Sequence, residues 1–442
     1  MGKVVSFAIS LWLITLPLLA SGSERFVDVI VVLEASTAPG EHAPNKSHAT
    51  GIARSMGFNA SHAYGTALFG FAARIPEGRL NGLQHDPRVA YVEFDRQVAL
   101  PRAGIAAPRK CAQDPNRPGC GTDDGGSEEP VSGDTIPWGI SRIGADNGTS
   151  SGVGIHVYVL DTGCDTNHGD LNTDNGQALV SCTGRRKTCR KPEDDDHGHG
   201  THVCGTIGAL KNGSDVVGVA PGVTLHPVKV LSKYGKGSLT DAIAGVDWVA
   251  DRTKALGTAT VANMSLTASG EKSGSCSAAG FTGYDAFHEA LCNAKNVGVV
   301  FAVAVGNSGA DAKGYIPAAF DDAVITVSAS SSGNDWPSWS NWGNDNAGWL
   351  SSTSAPVALV APGVSVLSTR MGGGTTTMSG TSMAAPHVAG AVARFLADYP
   401  QPADENAFLN ARNHLLGKAE STSGFSNSSG HPHAEAFLNT RP

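Results

Sequence analysis

The sequence predicts a doubly wound α/β fold, a mostly parallel sheet with helices on both faces, preceded by a small α+β unit. Two observations carry this. From Ile136 onward, short β-branched apolar runs without polar alternation recur between segments of helical periodicity. Such runs suit central parallel strands covered on both faces, and their alternation with helices is the pattern of a parallel sheet. Ahead of them, Leu100 to Gly133 is crowded with Pro, Gly, Ser, Asp and Glu, a composition that separates two folded blocks.

In chain order, residues 1–22 read as a secretory signal: Lys3, then the apolar run Val4 to Ala20, then the small residues Ala20 to Ser23. Ser6, Ser10 and Pro17 interrupt that run, which falls short of the roughly 20 apolar residues a spanning helix needs. No second run of this kind follows, so the mature form is expected to have no membrane span. Residues 23–100 form the α+β unit, with strand-like Phe26–Leu33 and Val89–Glu93 and helix-like Gly78–Gln84. Residues 101–133 are the linker. Residues 134–442 are the main domain, with strands expected at 155–160, 224–230, 260–264, 299–305 and 324–328, and helices at 238–252 and 286–294.

A net charge of −8 with 16% charged residues, and no long block of Lys or Arg, argues against a nucleic acid partner. The 8 cysteines form an even set behind an export signal, which favours disulfides. Spacing suggests Cys111 with Cys120, Cys182 with Cys189, and Cys276 with Cys292. Cys164 and Cys204 remain, either bridged to each other or simply two small buried residues. No paired C-x-x-C runs suggest a tetrahedral metal site.

Three segments carry chemistry: Val157 to Gly163 with Asp161, His197 to Gly205 with His199, and Ser379 to Pro386 with Ser382. A serine hydroxyl is a poor nucleophile at neutral pH unless an imidazole takes its proton and a carboxylate holds that imidazole in the right tautomer. Asp161 ends a buried-strand run, which puts it at the sheet edge where ligands gather. His199 lies in a glycine-flanked turn before a helix start. His202 is expected to be structural, and His197 is a weaker base candidate beside the acidic run Glu193–Asp196, itself read as a solvated loop. Ser382 begins a small-residue helix start, whose free N–H groups and dipole suit an anionic intermediate, with Pro386 expected near the first turn. Asn307, after the apolar run Val303–Gly306, can donate to the same oxyanion.

These residues resemble the subtilisin-like serine endopeptidases, and the loop from Ala310 to Ala318 is most similar to the proteinase K branch. The resemblance implies that Asp161 orients the base, His199 is general base and acid, Ser382 is nucleophile and Asn307 is oxyanion donor. It implies two edge segments that bind an extended peptide as an added strand, Gly235, Lys236 and Gly237 on one side and Ser265, Leu266 and Thr267 on the other. Ala304, Val305 and Gly306 would wall the primary pocket. Residues 26–98 resemble an inhibitory propeptide, which implies a secreted, extracellular proenzyme that processes itself, with protein or peptide substrates, its own propeptide as inhibitor, and a monomeric state. A structural Ca2+ ion is implied at Asp134, Asp170, Leu210, Asn212, Ser214 and Val216. Two departures stand out: Thr267 where relatives usually carry Gly, and Cys204 where they carry Ala. The rival reading is a catalytically inactive homologue acting as a binding protein, against which stand the intact Asp161, His199, Asn307 and Ser382.

Overall fold

The computed structural model describes residues 24–37, 44–101, 133–147, 150–179, 193–343, 357–421 and 436–441. The expected signal segment, the linker beyond Pro101, and the pairs Cys111–Cys120 and Cys182–Cys189 lie outside the described residues.

The N-terminal unit consists of strands β1 (Phe26–Leu33), β2 (Ala60–Tyr64), β3 (Gly70–Pro76) and β4 (Val89–Phe94), helices α1 (Lys46–Ser55) and α2 (Leu80–Gln84), and an outlying strand β5 (Gln97–Ala99). The sheet order is β2-β3-β1-β4, antiparallel throughout. Strand β1 is a continuous apolar run from Val29 to Leu33 because both its faces are buried there. Val29, Val31 and Leu33 pack with Ala49, Ala53 and Leu83 of the two helices. Ile30 and Val32 point the other way, onto the main domain.

The main domain is built on strands β6 (His156–Asp161), β7 (Thr224–Lys229), β8 (Lys236–Ser238), β9 (Thr260–Met264), β10 (Val299–Ala304), β11 (Ile325–Ser330), β12 (Val357–Pro362), β13 (Val366–Thr369) and β14 (Thr375–Met378). Its longer helices are α3 (His199–Gly208), α4 (Leu239–Leu256), α5 (Ala286–Asn296), α6 (Thr381–Asp398) and α7 (Asn406–Lys418). Strands β12-β11-β10-β9-β6-β7 lie side by side and parallel, within a sheet of nine strands that short pieces extend at both edges. Side chains alternate between two cores: Val157, Val159, Val300 and Ala302 pack with α3, α6 and α7, whereas Tyr158, Leu160, Phe301 and Val303 pack with α4 and α5. This two-sided burial is why the strands read as unbroken apolar runs.

The expected strands match within a residue or two, and β12, absent from the sequence reading, adds a sixth central strand. Helix α4 runs on to Leu256, with a capping box at Ser238 and Asp241 and a terminating Gly257 at φ 73°. Cys276 is bridged to Cys292, as the spacing suggests, and Cys164 is bridged to Cys204. Among the described residues no helix is long and apolar enough to cross a membrane.

Candidate active site

The sheet order reverses at β6, whose neighbours are the following strand β7 on one side and β9 on the other. Crevices form outside the carboxyl ends of strands at such a switch point. Asp161 is the last residue of β6 and is wholly buried. One carboxylate oxygen accepts the Thr162 N–H at 2.7 Å. The His199 Nδ1–H reaches Oδ1 and Oδ2 at 2.8 and 3.0 Å. With Nδ1 donating, Nε2 is left as the basic nitrogen.

His199 is the first residue of α3, following Gly198 at φ 99°, a conformation that favours glycine. Burial pushes its imidazole pKa down, but the Asp161 charge and hydrogen bond, with Asp195 further off, raise it above the ordinary histidine value. His202 donates from Nε2 to Val366 O at 2.9 Å, and burial lowers its pKa to about 3, so it stays neutral as a structural residue. His197 does not replace His199, because it is the His199 ring that holds Asp161.

Ser382 is the second residue of α6. Pro386 corrects the sequence reading, since it lies inside this helix rather than near its first turn. A proline there cannot donate to the carbonyl four residues back, which is that of Ser382. The Ser265 hydroxyl supplies the missing donor, reaching Ser382 O at 3.0 Å, and is itself held by Asn263 Nδ2 at 3.1 Å. Asn307 Oδ1 accepts from Thr381 N–H at 2.9 Å and Thr381 Oγ1–H at 2.7 Å. Those bonds fix which end of the amide is oxygen and turn the Nδ2 donor end away from them.

His199, Asn307 and Ser382 line one cleft of about 1130 Å³, together with Gly235, Lys236 and Thr267. Residues from the N-terminal unit line it too: Gln97, Ala99, Leu100 and Pro101. Strand β5 pairs antiparallel with β8, setting Val98 opposite Gly237 and Ala99 opposite Lys236. On its other side Ala99 exchanges both backbone hydrogen bonds with Thr267, at 2.8 and 3.0 Å, and Leu100 N–H donates to Gly235 O at 3.0 Å. The chain's own segment therefore lies between the two predicted edges as an added strand. Ser265 and Leu266 are buried beneath that edge, and Val98 sits in the core with Leu239. Ala304, Val305 and Gly306 are buried at the end of β10, where Gly306 N–H donates to Thr381 Oγ1 at 3.2 Å.

The predicted metal residues come together where Asp134 and Asp170 meet the loop Leu210 to Val216. Asp170 is buried, and one of its oxygens, Oδ1, has no hydrogen-bond partner. Burial raises its pKa to about 7, with Asp215 and Asp134 adding to the rise. Its Oδ2 accepts the Val216 N–H at 3.2 Å, and its backbone carbonyl accepts the Leu210 N–H at 2.9 Å. An orphaned, buried carboxylate oxygen beside the carbonyl-bearing loop Leu210 to Val216 fits a hard cation. Asp134 fits less directly: its Oδ1 is engaged by the N–H groups of Asn212, Gly213 and Ser214 at 2.7 to 3.2 Å. Asn212 Oδ1 accepts from Ser214 N–H at 3.0 Å.

The acidic run, expected as a solvated loop, is instead engaged at Asp195 and Asp196. Asp195 is buried and accepts five donors: the N–H groups of His197, Gly198 and Thr201 and the hydroxyls of Thr162 and Thr201, at 2.7 to 3.0 Å. Asp196 pairs at 2.6 Å with the buried Lys229, which also reaches Thr162 O. The signal was available, because an aspartate just ahead of a helix start that has no side chain on its cap residue is a ready acceptor for the unpaired N–H groups.

A serine at a helix N-terminus, a buried carboxylate-imidazole pair and an amide donor at the carboxyl edge of a doubly wound sheet define a serine hydrolase. Comparison with known proteins narrows this. Residues 152–431 match the subtilase family model. The chain is 36% identical over 391 residues to an extracellular serine proteinase of Thermus sp. (strain Rt41A), covering 84% of this chain and 78% of that one. It is 39% identical over 290 residues to subtilisin Savinase of Lederbergia lenta, covering 65% and 92%. A solved structure, of a cold adapted subtilisin-like serine proteinase, superposes with a TM-score of 0.55 at 32% identity over 69% of this chain and 98% of that one. The chain belongs to the subtilase family and is a serine-type endopeptidase acting on protein or peptide substrates.

Proposed function

We propose that the protein is a secreted proenzyme that cuts its own N-terminal unit away and then hydrolyses proteins with broad preference. Ser382 attacks the peptide carbonyl while His199 Nε2 takes its proton, and Asp161 stabilises the imidazolium. The oxyanion receives the Asn307 Nδ2–H and the Ser382 backbone N–H. His199 then protonates the leaving amine, and water resolves the acyl-enzyme by the same steps reversed. The small residues Ala304 to Gly306 leave room for apolar or aromatic side chains in the primary pocket.

The observation that carries this reading is the seating of Ala99 and Leu100 against Thr267 and Gly235, in the same cleft as His199 and Ser382. In this reading residues 1–22 are the signal, 23–100 the inhibitory propeptide, 101–133 the processing linker and 134–442 the catalytic domain. The cut falls between Ala99 and Ala107 or in the linker beyond. The mature enzyme is an extracellular monomer. Asp170 and the oxygens of Leu210, Asn212, Ser214 and Val216 hold a structural calcium ion, with Asp134 bracing the loop. The test is to express wild type and Ser382→Ala and compare intact masses and N-termini. Loss of residues up to the linker in wild type alone is the expected result; cleavage of both would show that another protease does the processing.

A further inference from the structure

Asp161 is fixed by the sheet, because β6 is paired on both sides. His199 begins α3, which Asp195, Val366, Ser368 and Thr369 hold from other sides, but its spacing from Asp161 is set where α3 rests on the turn that follows β6. One face of α3 makes that contact. Gly200 comes so close that a Cβ there would lie 1.9 Å from Gly163 O, and its N–H donates to Thr162 Oγ1 at 2.9 Å. The Asp165 N–H donates to Thr201 Oγ1 at 3.0 Å. Cys204 is four residues on from Gly200, hence on the same face one turn deeper. There it is bridged to Cys164, with Cα atoms 6.4 Å apart and both residues wholly buried.

We propose that the Cys164–Cys204 disulfide is a positioning device for the catalytic base, setting the spacing of His199 from Asp161. The inference rests on the reading of Asp161, His199 and Ser382 as a triad. The bridge joins the turn three residues past Asp161 to the helix five residues past His199, so it closes the shortest covalent path between acid and base. Every other tie across this joint is a hydrogen bond or a backbone contact. A hydrogen bond of 2.8 Å between His199 and Asp161 tolerates little drift of the helix. Substrate, by contrast, is gripped by the edges at Gly235–Gly237 and Ser265–Thr267, which the bridge does not touch. Its loss should therefore fall on kcat and spare KM.

The second bridge is the internal control, since Cys276 and Cys292 join a short surface hairpin to α5 and do not line the cleft. Processed Cys164→Ala/Cys204→Ala and Cys276→Ala/Cys292→Ala enzymes are to be compared with wild type, well below their melting temperatures and after active-site titration. Removing the first bridge is expected to lower kcat by about tenfold or more, given that misplacement by 1 Å can lose about a hundredfold. KM should stay within about twofold, and the acid limb of the kcat/KM profile should move to lower pH as the imidazole loses its close carboxylate. Removing the second should leave kcat within about twofold. If the first variant does not accumulate, graded dithiothreitol on wild type replaces it. The reagent is oxidised to its cyclic disulfide as each S–S bond becomes two thiols, and activity is followed against labelling of each cysteine by mass. Loss in step with Cys164 and Cys204, restored on reoxidation, supports the proposal. An unchanged kcat with only a lower melting temperature, an equal kcat loss in both variants, or loss in step with Cys276 and Cys292 overturns it. Failure of the triad reading would show separately, as retained activity in Ser382→Ala.

Discussion

Replacing Asp247 by alanine should loosen the N-terminal unit from the enzyme by two to three orders of magnitude. Asp247 lies on α4 and is wholly buried. Its Oδ1 accepts the N–H groups of Gly65, Thr66 and Ala67 at 3.1, 2.8 and 2.7 Å, all from the N-terminal unit. Lys46 of α1 adds an ion pair to Oδ2 at 3.0 Å. Hydrogen bonds to a charged group contribute about 1.5–3 kcal/mol each, and truncating one partner of a buried charged cluster costs about 2–5 kcal/mol in total, since the contributions do not add. A loss of about 3–4 kcal/mol corresponds to roughly 10²–10³ in Kd. Asp251 provides the contrast: it accepts from the Thr66 hydroxyl and pairs with Lys46 at 2.8 Å, but it is half-exposed, and exposed pairs contribute about 0–1 kcal/mol. The assay dilutes the freshly processed complex stepwise and records early hydrolysis of a chromogenic peptide. Asp247→Ala should release activity at concentrations about a hundredfold or more above wild type, and Asp251→Ala within about tenfold. A shift below about fivefold for Asp247→Ala would refute the claim that this buried carboxylate clamps the unit.

Asp195→Asn leaves an N–H₂ group facing donors that require an acceptor, and removes a charge that helps raise the His199 pKa. Because His199 acts only when neutral, the acid limb of kcat/KM should move to lower pH, with about a tenfold fall in its plateau. A histidine pKa raised by folding contributes stability that is fully present below the unfolded value and lost as pH rises through the folded one. The pH-dependent stability loss of Asp195→Asn should thus be greater at pH 5 than at pH 8 in thermal melts. At the loop of Asp170, a chelator should lower the melting temperature at pH 8. In chelator the Asp170 pKa of about 7, against an ordinary 3.8, makes the native state hold its proton more tightly, so stability falls as pH rises between these values. The span is about 3 pH units, or about 4 kcal/mol. Asp170→Asn should abolish the chelator effect and, in chelator at pH 8, melt above wild type; an unchanged melt on chelation would sink the calcium assignment.

What could be read from the sequence was whatever a local pattern determines. The central strands were legible because burial on both faces forces unbroken apolar runs, and the three catalytic segments because each holds its residue at a strand end or helix start. Helix α1 was not legible: only Ala49 and Ala53 of its ten residues are buried, and Gly51, Ser47 and Thr50 are poor helix formers. Strand β12 was hidden by prolines at 356 and 362. Thr381 and the Ser265–Pro386 relationship escaped because each is defined by a partner distant in sequence, whereas four of the five donors to Asp195 lie within six residues of it. A hydroxyl filling the gap left by a proline more than a hundred residues away has no local signature.

The groove itself explains why a separate clamp is needed. Its two edges recognise the chain through backbone groups, as Ala99 with Thr267 and Leu100 with Gly235 show. Backbone recognition is indifferent to most side chains, so it gives the N-terminal segment no advantage over a substrate strand. Val98, buried with Leu239, and the partly buried Leu100 add the side-chain contacts at this point. Any lasting hold on the groove must come from elsewhere in the unit, and Ile30, Val32, Tyr64 and Ala72 packed on α4 and α5, with Asp247 capping the turn at Gly65, provide it. Docking there raises the effective concentration of residues 97–101 at the cleft. Cutting the linker removes the covalent link but not this interface. Latency should therefore outlast the cut and end only when the unit dissociates or is digested, which makes Asp247 a control point for the timing of activity rather than for the chemistry.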